Sequence, residues 1–148
     1  MATTYDIYFT PLADTDISAR PFSFGFVSSI GITGVRKLSN KFMKCLLTLK
    51  GSDQFDLLYG TGFISLTQYN ISQLSDLIDS IVGFVKDAEQ QITVAGRAAS
   101  TPLNELLTSA TLTSVSTTTK GSIVLVVTLK NAANELANLT LPALPARS

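Results

Sequence analysis

The chain has 148 residues and no net charge; 45% of its residues are hydrophobic and only 15% are charged, against about 25% in an ordinary soluble domain. That deficit leads us to expect part of the surface to be covered by another molecule. With no histidine and a single cysteine, the commonest general base, the commonest zinc ligand, every histidine-dependent triad and any internal disulfide are excluded.

The length fits one domain with a core of its own plus a peripheral arm. Zero net charge gives no global field toward nucleic acid or anionic lipid, and no apolar run approaches the ~20 residues that span a bilayer. The start, Met-Ala-Thr-Thr-Tyr-Asp, lacks the basic opening of a signal peptide. These features predict assembly in the cytoplasm, with neither membrane nor nucleic acid as partner.

Residues 1–30 hold two alternating patches, Tyr5-Asp6-Ile7-Tyr8-Phe9 and Phe22-Ser23-Phe24-Gly25-Phe26, bounded by Pro11 and Pro21. They read as short extended segments of an N-terminal arm. The first helix is expected over about 35–49, where Val35, Leu38, Phe42, Cys45, Leu46 and Leu49 share one face at ~100° per residue. Arg36, Lys37, Lys41 and Lys44 lie on the other face, and Gly51 follows as a C-cap. Cys45 therefore reads as a small core residue, not a nucleophile. The connection to residue 63 is rich in turn formers.

A second helix is expected from Asn70, with Gln73 completing a capping box. Ile71, Leu74, Leu77, Ile78, Ile81, Val85, Ala88 and Ile92 form its apolar stripe, and Gly96 should lie beyond its end. The charge pattern changes sign between the helices. No acid stands between Asp16 and Asp53, whereas Asp53, Asp56, Asp76, Asp79, Asp87 and Glu89 follow with Lys86 as the single base among them.

From Leu103 the period shifts toward two. Residues 106–115 and 123–129 read as a β-hairpin around Thr119-Lys120-Gly121. The second run, Ile123-Val124-Leu125-Val126-Val127-Thr128-Leu129, is apolar on both sides and should be covered on both. A third run, 137–141, carries Leu139 and Leu141 on one face, stops at Pro142 and leaves 143–148 as a flexible tail. The order predicts an α+β fold of two amphipathic helices followed by a small antiparallel sheet.

Catalytic signals are thin. Asp76 and Asp79 lie one turn apart, and Asp53 and Asp56 share a loop, but neither pair sits in a pattern that buries one acid. Gly60-Thr61-Gly62 lacks the lysine and helix of a phosphate loop and reads as a turn. No catalytic residue, metal or cofactor is expected. The basic helix face carries no interleaved aromatics for base stacking; it reads as a solvated face or a contact for an acidic protein surface, ahead of phosphates or an anionic lipid surface. The strands are the sharper feature. Three of them leave edges that two helices do not hide, and a free apolar edge invites pairing with another chain. Ile123, Val124, Leu125, Val126, Val127, Leu129, Leu139 and Leu141 are the expected partner-binding residues, with Arg36, Lys37, Lys41 and Lys44 as a second group. The alternative is that residues 1–30 fold back and supply the missing strand.

The run Lys41-Phe42-Met43-Lys44-Cys45-Leu46-Leu47-Thr48-Leu49-Lys50-Gly51-Ser52-Asp53, followed by Phe55-Asp56 and Tyr59-Gly60-Thr61-Gly62, resembles the baseplate wedge and sheath-initiator family of contractile phage tails, which also occurs in type VI secretion baseplates. There a helix ends in Leu-Leu-Thr-x-x-Gly, and an Asp-x-x-Tyr-Gly-Thr-Gly loop leads to a second helix and an antiparallel sheet. The resemblance covers about residues 35–141 and implies a wedge-like domain over 31–142. It also implies a structural role in the virion baseplate, in multiple copies in a symmetric ring. The sheath protein would bind at a strand edge, with other wedge proteins and the tail tube as further neighbours. Many members carry Glu-Pro-Arg before the first strand; here Thr101-Pro102-Leu103 keeps only the proline. A tail completion or joining protein is the competing structural reading, and a peptidoglycan-degrading lysozyme-like enzyme the competing catalytic one.

Overall fold

The computed structural model describes the backbone of residues 9–10, 23–24, 33–68, 74–117 and 122–145, and side chains over 33–66, 75–116 and 123–141. Two short strands, β1 (Phe9–Thr10) and β2 (Ser23–Phe24), pair antiparallel with Phe9 opposite Phe24. The rest of the expected arm lies outside the described residues, as do the capping box at 70–73, the 119–121 turn and residues 146–148.

Helix α1 (Gly34–Leu47) and the long α2 (Leu74–Ala98) are followed by β3 (Leu107–Thr117), β4 (Ser122–Asn131) and β5 (Leu136–Pro145). Short 3-10 helices stand at Phe63–Gln68 and Leu103–Glu105. The strands form one antiparallel sheet in the order β3-β4-β5. The fold is thus α+β, two helices and then a three-stranded sheet, as the change of period predicts.

The core forms between the helices and one face of the sheet. Leu38, Phe42, Cys45 and Leu46 of α1 meet Leu77, Ile81, Val85, Ala88 and Ile92 of α2, and every one is buried. Below them lie Ile123, Leu125, Val127 and Leu129 of β4, which alternate with the half-buried Val124, Val126, Thr128 and Lys130. Cross-strand register extends this inner face sideways: Leu112 and Leu139 flank Val127, and Val115 and Leu141 flank Leu125. Removing a buried ring such as Phe42 from such a core costs about 3–5 kcal/mol.

Three element ends differ from expectation, each for a physical reason. Helix α2 runs through Gly96 to Ala98, because Gly96 serves packing here: a Cβ at that point would lie 2.9 Å from Leu106 Cδ1. Helix α1 closes at Thr48, whose N–H donates to Lys44 O (2.9 Å), before Gly51 is reached. Strand β5 continues beyond Pro142 because its register shifts between the pairs Ile123/Leu144 and Leu125/Leu141. Two residues, Pro142 and Ala143, then oppose Val124, and such a bulge accommodates a residue with no N–H to donate.

The candidate assembly edge and its supports

Strand β4 is the centre of the sheet. Its backbone is paired to β3 along one side and to β5 along the other, so it presents no edge. Ile123, Leu125, Val127 and Leu129 are buried beneath the helices, as are Leu139 and Leu141 of β5. The expectation that this apolar run is itself the sticky edge is therefore corrected: its inward half is core. Its outward half, Val124 and Val126, is half-buried on a face that no described element covers. The true edges are β3 and β5, and they are treated differently.

The beginning of the β3 edge, at Leu107 and Ala110, is plugged by α2. Ala110 N–H donates to Glu89 Oε2 at 2.8 Å, and Lys86 Nζ reaches both Glu89 Oε2 (2.9 Å) and Ala110 O (3.5 Å). Thr93 Oγ1 lies 3.5 Å from Leu107 O. Side chains from one helix face thus take the hydrogen-bonding positions that an added strand would need there, a recognised means of blunting an edge.

The same bond fixes the polarity of the whole ladder. Because Ala110 N–H points away from β4, Ala110 and its partner Leu129 form a non-hydrogen-bonded pair. Antiparallel pairs alternate, so Leu129, Val127 and Leu125 turn their backbone toward Ala137, Leu139 and Leu141. The intervening Leu136, Asn138 and Thr140 then direct their N–H and C=O groups away from the sheet. Among the described residues no hydrogen bond fills these positions from outside. Asn138 is engaged only through its side chain, accepting from Thr128 Oγ1 (2.9 Å) in a row that Thr113 continues. Beyond Leu141 the bulge and Pro145 interrupt the edge, which limits a partner strand to about five residues.

The four basic residues of α1 do not act as one surface. Lys37 is turned inward and pairs with Glu105 Oε2 at 2.9 Å, at 16% and 8% exposure. Glu105 Oε1 also accepts the Gly34 N–H at 3.3 Å, placing a carboxylate at the positive end of α1, whose N-cap Thr33 makes no side-chain bond. Arg36 and Lys44 are exposed and Lys41 is half-buried. Lys37 thus belongs to the fold's internal wiring, a role that sequence spacing cannot reveal because Glu105 is remote in the chain. Pro102 caps the 3-10 turn that delivers Glu105 to Lys37.

The Gly60-Thr61-Gly62 turn is a clamp between the helices. Gly60 has φ +100, and a Cβ there would stand 2.4 Å from Thr48 O. Gln91 of α2 reads the Gly60 backbone from both sides, accepting its N–H (3.0 Å) and donating to its carbonyl (2.9 Å). Its amide also bonds Asp87, and Cys45 Sγ donates to its oxygen at 3.4 Å. Buried Thr61 donates its hydroxyl to Leu46 O and its N–H to Thr48 O. Burial raises the Cys45 thiol above its ordinary value of 9.0; the Gly60 amide and Lys50 oppose this, and Asp87 adds to it. Cys45 is fully buried, as a core residue should be. Asp76 and Asp79 are both solvent-exposed, and Asp53 and Asp56 spend carboxylate oxygens on loop N–H groups.

No protein-family model matches the chain, and no curated protein matches it.

Proposed function

We propose that the chain is a structural assembly subunit that receives a short strand from a neighbouring protein along the outer edge of β5. The observation that carries this reading is a run of outward groups along β5: among the described residues no hydrogen bond reaches the N–H and C=O groups of Leu136, Asn138 and Thr140, while Glu89 and Lys86 occupy the β3 edge at Ala110. Main-chain pairing along such an edge supplies affinity, and pockets for alternate side chains supply register.

The particular setting we propose is the baseplate of a contractile phage tail. There the chain acts as sheath initiator, linking the first ring of sheath subunits to the wedge proteins and lying close to the tail tube. Two things support this choice. The Leu46-Leu47-Thr48 helix end and the Asp56 to Gly62 loop resemble that family, and the order helix, loop, helix, antiparallel sheet agrees with it. In this reading 31–142 is the wedge-like domain, 1–30 its arm, and the chain performs no catalysis.

Thr140→Pro tests the edge. It removes an outward N–H while leaving the ladder to β4 in place, so the variant should remain folded. Particles assembled with it should carry tubes and baseplates but no sheath. Full-length sheaths on such particles would overturn the proposal, as would localisation of labelled protein to the neck end of the tail.

A further inference from the structure

The connection after α1 holds three large apolar side chains in water. Phe55 is 101% exposed, Leu58 75% and Leu57 64%. Local bonds hold this loop in shape: Ser52 N–H donates to Leu49 O (3.0 Å), and Phe55 and Leu58 N–H donate to Asp53 and Asp56 Oδ1 (2.8 and 3.0 Å). Tyr59 N–H closes the turn on Asp56 O at 3.1 Å. A knob already ordered before contact loses little freedom on binding. Asp53 and Asp56 are the only charges of residues 51–59, and among the described residues neither forms an ion pair.

A surface of opposite character lies on the outer face of the sheet. Lys130 and Leu136 are register partners there, with Val126 and Thr140 paired further along the same face. Leu136 is 66% exposed. Lys130 is the only charged residue of the described strands, and no described acid pairs with it. Knob and face belong to the same chain: the knob is acidic and apolar, and the face sets Lys130, Leu136 and Val126 around the polar Thr128–Asn138 pair.

We propose that the Phe55–Leu57–Leu58 knob of one copy seats on the outer sheet face of a second copy, around Val126 and Leu136, with Asp56 facing Lys130. The contact joins two different patches, so it is head-to-tail and extends into a ring or a row of copies. It uses the face of the sheet, not the β5 edge, and stands independently of the sheath-initiator reading. The acids beside the knob also disfavour its burial in an anionic lipid surface.

Sedimentation velocity of the full chain, from micromolar to near-millimolar concentration, tests this directly. The wild-type mass should rise with concentration and fall again in high salt. Phe55→Ser lacks the knob and Leu136→Asp lacks the face; each should associate at least tenfold more weakly while keeping the wild-type circular dichroism. Mixed one to one, they should form dimers and nothing larger, because one working knob meets one working face. Asp56→Asn keeps the Leu58 turn bond and should weaken association several-fold while flattening its salt dependence. A wild-type chain that stays monomeric overturns the proposal, and so does a mixture that fails to dimerise. Phe55-dependent binding to phosphatidylglycerol vesicles without self-association would assign the knob to a membrane instead.

Discussion

At the residue scale, Gly60 and Gln91 illustrate how much of this fold depends on single backbone groups. Alanine at position 60 would combine a φ of +100 with a Cβ driven into Thr48 O. We expect Gly60→Ala to lower stability by about 3 kcal/mol in urea unfolding, since a strained φ alone costs roughly 1–3 kcal/mol. Cys45 gives a pH signature. Its thiol is held above the ordinary value by burial, so the folded state favours the protonated form. The resulting stability is present below the unfolded thiol's pKa and is lost as pH rises through the folded one. Wild type should therefore lose more stability than Cys45→Ala between about pH 8 and pH 10; parallel curves for the two would contradict this. The sequence marks Cys45 as a core residue by helical spacing, and it marks Gly60-Thr61-Gly62 as a turn. It carries no signal for Gln91, because that side chain meets Gly60 only after both helices have docked.

At the scale of elements, the plugged β3 edge makes the most specific claim. Glu89→Ala removes a charge-assisted bond to Ala110 N–H and should cost about 2 kcal/mol. It should also expose that backbone to other chains, read as faster thioflavin-positive aggregation than wild type. Unchanged aggregation would show that α2 packing alone protects the edge. The helices and the three strands are legible from period, since one face of each is buried and the apolar residues recur accordingly. Their ends are less so. The continuation of α2 past Gly96 lays that glycine against Leu106, and that of β5 past Pro142 rests on a bulge opposite Val124. Both are decided by partners distant in sequence. The run at 123–129 shows the same limit: double-sided apolarity identifies a covered strand but not whether its cover comes from another chain or from its own neighbours.

At the scale of the molecule, that central position changes what substitutions in β4 should do. Leu125 is fully buried in the shared core, with Val115 and Leu141 opposite it on the flanking strands. Leu125→Lys would place an unpaired charge there and should destabilise the whole chain by about 4 kcal/mol or more. Loss of helical circular dichroism along with the sheet is expected, not a selective loss of partner binding. Both proposed contact surfaces therefore lie at the margins of the fold, in an edge, a face and a loop that the core holds together. Partial cover of the second edge also has a bearing on growth. A sheet with two fully open edges could accept a strand at each side and keep growing as a ribbon. In the proposed reading the incoming strand is captured at β5, while Glu89 and Lys86 at Ala110 obstruct continuous pairing along β3. Removing Glu89 would restore an uninterrupted second edge.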